Sequence, residues 1–141
     1  MSLPSTEDIV DDLSFFDDWE DKYKYIIDLG KSLPAFDAAW HTSERLVKGC
    51  QSNVWIQPGT EQDPQQGEVL TFAVDSDAII VRGLLGVVLA AFNRKTPQDI
   101  LDFNIDEYFA QLDLERHLSP TRGNGLRSIV GRIKSIAQAA A

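Results

Sequence analysis

The chain has little sulfur and little imidazole. Its 141 residues include one cysteine, Cys50, one methionine and two histidines, His41 and His117. A single thiol excludes an internal disulfide and a thiolate metal cage, and two scattered histidines do not supply a spaced set of further ligands. We therefore predict no metal centre. A lone thiol can still act as a nucleophile or carry a sulfur atom.

The chain also lacks a long hydrophobic run. Its longest apolar stretch, residues 83–92, is about half of what crossing a bilayer requires. No apolar targeting stretch follows Met1. One cysteine is typical of a reducing compartment. These features predict a soluble cytoplasmic protein without membrane contact.

Positive charge is scarce as well, with 13 basic side chains against 22 acidic ones and a net charge of -9. Phosphate backbones would repel such a chain, so we expect no nucleic-acid partner. The acidic cluster in residues 7–28 is more typical of solvated helix surface than of a docking face. The length and the 43% apolar content predict a single domain over residues 1–141.

Spacing and capping predict an α+β fold, with a small antiparallel sheet of about three strands packed against several helices. Helices should begin after Ser5 and Asp18 and again after Thr96 and Ser119, with Gly30 as a left-handed stop. Residues 45–47, 54–57 and 68–75 read as strands, Pro58 ends the second of them, and residues 57–67 form a loop. Residues 78–92 are apolar on nearly every side and predict a buried helix that starts at residues 76–77.

Cys50 lies in a polar turn between two predicted strands, which is unusual for a buried structural thiol. Gly49 can adopt backbone angles closed to other residues, and Gln51 and Ser52 can hydrogen-bond the loop or a sulfur anion. A nearby cation would increase the thiolate fraction, and the candidates are Arg45, Lys48 and Arg122. The residues alone leave both a reactive and an inert thiol open.

A thiol hydrolase is a weaker hypothesis. It would need His41 or His117 beside the sulfur of Cys50, and neither histidine stands in a recognisable nucleophile signature. Asp75 and Asp77 lie near a predicted helix start, where carboxylates are more often caps than an acid and base pair.

Short motifs along almost the whole chain resemble the SufE family. They are residues 19–23 (WEDKY), 29–34 (LGKSLP), 47–55 (VKGCQSNVW), 76–78 (SDA), 81–84 (VRGL), 117–122 (HLSPTR) and 124–126 (NGL). The block around Cys50, followed by Val54 and Trp55, is the most specific of them.

This resemblance implies an α+β domain akin to the IscU scaffold, with Cys50 on a loop and no cofactor of its own. It implies a pyridoxal-phosphate cysteine desulfurase, of the SufS or CsdA kind, as the partner that loads a persulfide onto Cys50. Cys50 would then pass the sulfur to an iron-sulfur cluster scaffold or another acceptor. Asp77 and Arg122 stand at family motif positions and are candidates for partner contact. The alternatives for them are a helix cap and a surface ion pair.

Two functions therefore remain at this point. One is a sulfur acceptor that stimulates the desulfurase and carries persulfide on Cys50. The other is a non-catalytic adaptor or regulator of a desulfurase, with Cys50 as a redox sensor.

Overall fold

A computed structural model describes residues 3–50 and 52–141, apart from the side chain of Glu115. The chain begins with two helices, α1 (Thr6–Ser14) and α2 (Trp19–Leu29). Both begin where local capping predicts. The Ser5 hydroxyl accepts the backbone N–H of Asp8 at 3.1 Å, and the Asp18 carboxylate accepts that of Asp21 at 2.9 Å.

The sheet of the described residues has two antiparallel strands, β1 (Val54–Asp63) and β2 (Gly67–Ser76). Their register runs from the pair Val54 and Ser76 to the pair Asp63 and Gly67. The α+β class is confirmed, but a third strand over residues 45–47 is wrong. Residues Ser43–Arg45 form a short 3-10 turn, and Leu46 makes only an isolated bridge to Trp55.

Pro58 does not end β1 as expected, and most of the predicted 57–67 loop is strand. Pro58 is opposite Phe72, whose N–H donates to the Asn93 side chain at 2.8 Å rather than to β1. Pro58 and Phe72 are therefore a pair without hydrogen bonds between the two strands, and the Pro58 nitrogen faces the outer edge of β1. A proline at such a position removes no hydrogen bond from the ladder.

Helix α3 (Ile79–Phe92) is the buried helix, as predicted, and packs on both α2 and β2. Gly30 is not a left-handed stop, because its φ is −59° and the chain continues as a 3-10 turn over Gly30–Ser32. What Gly30 permits is close packing: a Cβ there would lie 3.1 Å from the backbone nitrogen of Gly83.

The carboxy-terminal part is helical. Its helices are α4 (Pro97–Asp102), α5 (Ile105–Leu112), α6 (Leu114–His117) and α7 (Pro120–Ala140). Thr96 and Ser119 cap α4 and α7, as their sequence positions predict. Helix α7 buries Leu126, Ile129 and Ile133 in the core. Within residues 3–50 and 52–141, no helix has the length and apolarity needed to cross a membrane.

Candidate functional site

The loop that carries Cys50 is anchored at both ends. On one side the Val47 N–H donates to the Val54 carbonyl at 2.9 Å. On the other side the carboxylate of Asp77 accepts from the backbone N–H and the side-chain amide of Asn53, at 3.2 and 3.0 Å. We call this pair the Asn53–Asp77 clasp. It holds the end of the loop against the start of α3.

The clasp corrects the expectation that Asp77 begins a helix. Helix α3 starts at Ile79, and its N-cap residue, Ala78, forms no side-chain capping bond. The carboxylate of Asp77 is directed at Asn53 instead, and Asp77 itself remains exposed.

The conformation of Gly49 determines where the Cys50 thiol lies. The φ of Gly49 is +93°, a conformation that residues with a side chain rarely adopt, and a Cβ there would lie 2.4 Å from the hydroxyl oxygen of Ser128 on α7. The turn therefore requires glycine for both reasons. With Gly49 seated against Ser128, the next residue, Cys50, meets α7 one turn earlier.

The thiol of Cys50 is half-buried and points at α7, where it donates to the Gly125 carbonyl with a sulfur to oxygen distance of 3.6 Å. Beside it lies a small cavity of about 30 Å³. The apolar walls of the cavity are Val54, Val81, Leu84, Leu126 and Ile129. Its polar lining is provided by Ser52, Thr121 and Arg122.

Burial raises the pKa of the Cys50 thiol above its ordinary value. The expected activation by a cation is therefore not met in this conformation. Arg45 is engaged elsewhere, with its guanidinium donating to Gln57 at 2.5 Å and to Thr42 at 3.0 Å. In this conformation, burial therefore disfavours the thiolate of Cys50, which is the form that attacks as a nucleophile.

Neither histidine lies at the sulfur. His41 bonds the carboxylate of Asp75 at 2.7 Å and packs edge-on against Trp55, whereas His117 stacks on Trp19 with ring centroids 3.8 Å apart. A hydrolase built on a cysteine and histidine pair is therefore excluded in this arrangement. Asp75 also pairs with Arg82 at 3.4 Å, so its carboxylate is engaged by His41 and Arg82 and does not cap α3.

The structure brings five of the sequence-derived residues to one place. Gly49 forms the turn, Ser52 and Arg122 line the cavity with Cys50, and Asp77 fastens the end of the loop. Gln51 lies outside the described residues. Arg122 is exposed near the start of α7, and in the part of the chain that the structure describes it forms no ion pair.

Three further residues of the site were not singled out from the sequence: Asn53, Gly125 and Ser128. Asn53 directly before a strand is a signal for a side-chain to backbone clasp, but nothing in the sequence identifies its partner. Gly125 and Ser128 belong to a helix far along the chain, so their contacts with the loop depend on the tertiary fold.

Fold and site together define a small α+β domain with one half-buried thiol on a loop anchored at both ends. The chain belongs to the SufE family, whose model, described as an Fe-S metabolism associated domain, matches residues 7–137. Membership associates the protein with iron-sulfur metabolism.

Two relatives agree with this assignment, and a solved structure shares the fold. An uncharacterized SufE-like protein of Rhizobium meliloti (strain 1021) is 45% identical over 139 residues, covering 96% of each chain. A second, from Rhizobium etli, is 43% identical over 138 residues and covers 98% of this chain and 93% of its own. The solution structure of a hypothetical protein from Thermus thermophilus superposes with a TM-score of 0.75 at 15% identity, over 99% of this chain and 98% of that one. The last match shows a shared fold.

Proposed function

We propose that this protein accepts persulfide sulfur from a pyridoxal-phosphate cysteine desulfurase onto Cys50, stimulates the desulfurase, and passes the sulfur on for iron-sulfur cluster assembly. The observation that carries the proposal is the sheltered position of the only thiol, beside a small apolar cavity on an anchored loop. The lone cysteine favours a reducing cytoplasm as the place of this reaction.

The cavity has the size that a carrier needs. A persulfide adds one sulfur atom about 2 Å from the first. A space of about 30 Å³ exceeds the roughly 10–15 Å³ that one water-sized group needs. Apolar walls formed by Val54, Leu84 and Ile129 would reduce the contact of that atom with water. The added sulfur can therefore be stored without repacking the core.

The transfer step balances without an added oxidant or reductant. The thiolate of Cys50 attacks the outer sulfur of the donor persulfide, a new sulfur-sulfur bond forms to Cys50, and the donor's sulfur-sulfur bond breaks. The electron pair of the broken bond leaves with the donor cysteine as its thiolate. Delivery to the next acceptor repeats the exchange with Cys50 as the leaving group.

Attack requires Cys50 to leave its contact with Gly125, because the thiol is tucked against α7 and burial raises its pKa. We therefore propose that the loop is tucked in the free protein and extended in the desulfurase complex. Hydrogen exchange over residues 48–53, with and without desulfurase, tests this step. Equal protection in the two states would contradict it.

Asp77 and Arg122 are proposed as contacts for the desulfurase, on the basis of their exposure next to the thiol loop. Charge reversal at each position should weaken stimulation of the desulfurase. Because Asp77 also belongs to the clasp, its reversal should in addition loosen the loop, whereas reversal of Arg122 should not.

Reconstitution with the desulfurase of the same organism and free cysteine tests the function as a whole. Mass spectrometry should show one added sulfur, about 32 Da, and alkylation mapping should locate it on Cys50. Cys50→Ser should fold normally, take up no sulfur and fail to stimulate the desulfurase. Full stimulation by that variant would indicate an adaptor. A redox sensor is disfavoured because sensor thiols have lowered pKa values, whereas burial raises the pKa of Cys50.

A further inference from the structure

The thiol loop crosses one face of α7, and this face carries one cation on each side of the crossing point. Arg122, Gly125, Ser128 and Arg132 follow one another at spacings of three, three and four residues, which places them along one side of the helix. Cys50 meets this side at Gly125, and Gly49 meets it at Ser128. Arg122 and Arg132 thus flank the loop, about 15 Å apart at 1.5 Å of rise per residue.

A third cation, Lys48, lies on the loop itself, directly before Gly49. Lys48 and Arg132 line one open groove together with Ser128 and residues 43–44 and 46–47, and this groove shares no lining residue with the Cys50 cavity. Arg122 lines the Cys50 cavity. We call Arg122, Lys48 and Arg132 the basic strip.

The charges of the strip are not neutralised within the described residues. There, none of its three side chains forms an ion pair, whereas Arg82 and Arg94 are each paired with carboxylates. Arg132 reaches only a backbone oxygen, that of Glu44, at 3.5 Å. Glu44 is the one acidic residue among those lining the groove and the cavity.

The sign of the strip is opposite to that of the molecule, whose net charge is -9. A partner with an acidic surface would be repelled by the molecule as a whole and attracted at the strip, where three cations lie close together. Because the strip borders Cys50 on two sides, an approach guided by charge would bring the partner to the thiol.

We propose that the basic strip docks an acidic segment beside the active site of the sulfur donor. The inference rests on the proposed function, and it names the chemistry by which the donor is recognised: carboxylates spaced to meet Arg122 on one side of the loop and Lys48 and Arg132 on the other. The strip steers and orients the approaching donor. The clasp fastens the loop, and the cavity receives the sulfur.

The test combines Lys48→Glu and Arg132→Glu in one double variant, using the purified cysteine desulfurase of the same organism as the probe. The dissociation constant should rise about tenfold for the double variant at 0.1 M salt, where the screening length is about 10 Å. At 1 M salt, where screening acts within about 3 Å, the difference should shrink to less than about twofold. Lys24→Glu combined with Lys95→Glu reverses two exposed cations outside the strip, is matched to the double variant in net charge, and should change the affinity by less than about twofold.

Failure of this inference and failure of the proposed function give different results. If the wild type takes up sulfur on Cys50 and the double variant binds with unchanged affinity and salt dependence, the strip is only solvated surface and the inference is overturned. If the affinities change as expected but Cys50 never gains sulfur, docking stands and the carrier function fails. A loss of affinity that is equally large at 1 M salt would also overturn the inference, because it would indicate damage to the fold rather than loss of charge.

Discussion

The substitution Gly49→Ala tests the reasoning about the loop most directly. Its Cβ would lie 2.4 Å from the hydroxyl oxygen of Ser128 and 3.3 Å from the Ser128 Cβ, at a residue whose φ is +93°. A left-handed conformation costs a residue with a side chain about 1–2 kcal/mol. Moving the hydroxyl aside also breaks its 3.1 Å bond to the carbonyl of Asn124, which adds about 0.5–1.5 kcal/mol.

The loop can relieve this strain by leaving α7, because the Cys50 thiol is held there by one weak hydrogen bond to Gly125 and by packing in a small cavity. Together the two costs amount to about 1.5–3.5 kcal/mol, which corresponds to a factor of about 10–400 between tucked and untucked loops. The rate at which iodoacetamide alkylates Cys50 in the free protein should rise by that factor. The urea midpoint should fall only slightly, since the core is unaffected.

Two further variants separate the causes. Ser128→Ala combined with Gly49→Ala removes the oxygen but keeps the backbone strain, so its alkylation rate should lie between those of the wild type and the single variant. Gly131→Ala on the same helix has no atom within 4 Å of the added Cβ, and it should stabilise the fold by about 0.5–1 kcal/mol without changing the rate. An unchanged alkylation rate in Gly49→Ala would refute the tucked loop as the state of the free protein.

Further predictions concern the thiol, the clasp and the core. Because burial raises the pKa of Cys50, the pH profile of its alkylation should lie at higher pH in the folded protein than in urea. For the same reason, the free energy of unfolding should fall as the pH rises past the pKa of the unfolded thiol. This fall should be absent in Cys50→Ser. Asn53→Ala and Asp77→Ala should accelerate alkylation equally if both act through the clasp, and a larger loss of desulfurase affinity for Asp77→Ala alone would assign it a docking contact. Gly83→Ala should destabilise the fold by about 3 kcal/mol in urea titrations, since its Cβ would lie 2.2 Å from the Ile26 carbonyl oxygen; a loss below that of Gly86→Ala would contradict this packing.

Local signals are the ones that sequence reasoning interprets correctly. The caps at Ser5, Asp18, Thr96 and Ser119 each bond a backbone N–H three residues on, so the whole interaction is contained in a few letters of sequence. The buried helix is equally predictable, because residues 79–92 are apolar on nearly every side.

Three of the wrong predictions concern residues whose contacts lie far away in sequence. Pro58 is tolerated in β1 because the N–H of Phe72 opposite it bonds Asn93 rather than β1. Gly30 does not stop a helix in the left-handed conformation. A glycine is found there because a side chain would approach the backbone of Gly83 on α3 too closely. Asp77 does not begin a helix, because its carboxylate has a competing partner, Asn53, 24 residues earlier in the chain.

For the site, the polar turn around Cys50 indicates that the thiol is not ordinary core. The sequence does not reveal that the sulfur is half-buried, because the shelter comes from Gly125, 75 residues further along the chain. Nor can it show that Arg122 and Arg132 flank the same loop, which requires both the helical geometry of α7 and the crossing point of the loop.

A buried thiol is protected but reacts poorly, and an exposed thiol reacts well but is unprotected. Under the proposed function, the tucked and the extended positions of the Cys50 loop provide these two environments separately. In the tucked state, burial raises the pKa of the Cys50 thiol, so the same contacts that would protect a stored sulfur under the proposed function also suppress attack by the free thiol. The contact to Gly125 and the clasp are few and weak enough for a docked partner to replace. Under this reasoning, the partner's binding energy determines when the thiol becomes reactive, and a variant with a permanently untucked loop should accept sulfur faster but lose it sooner to reductants.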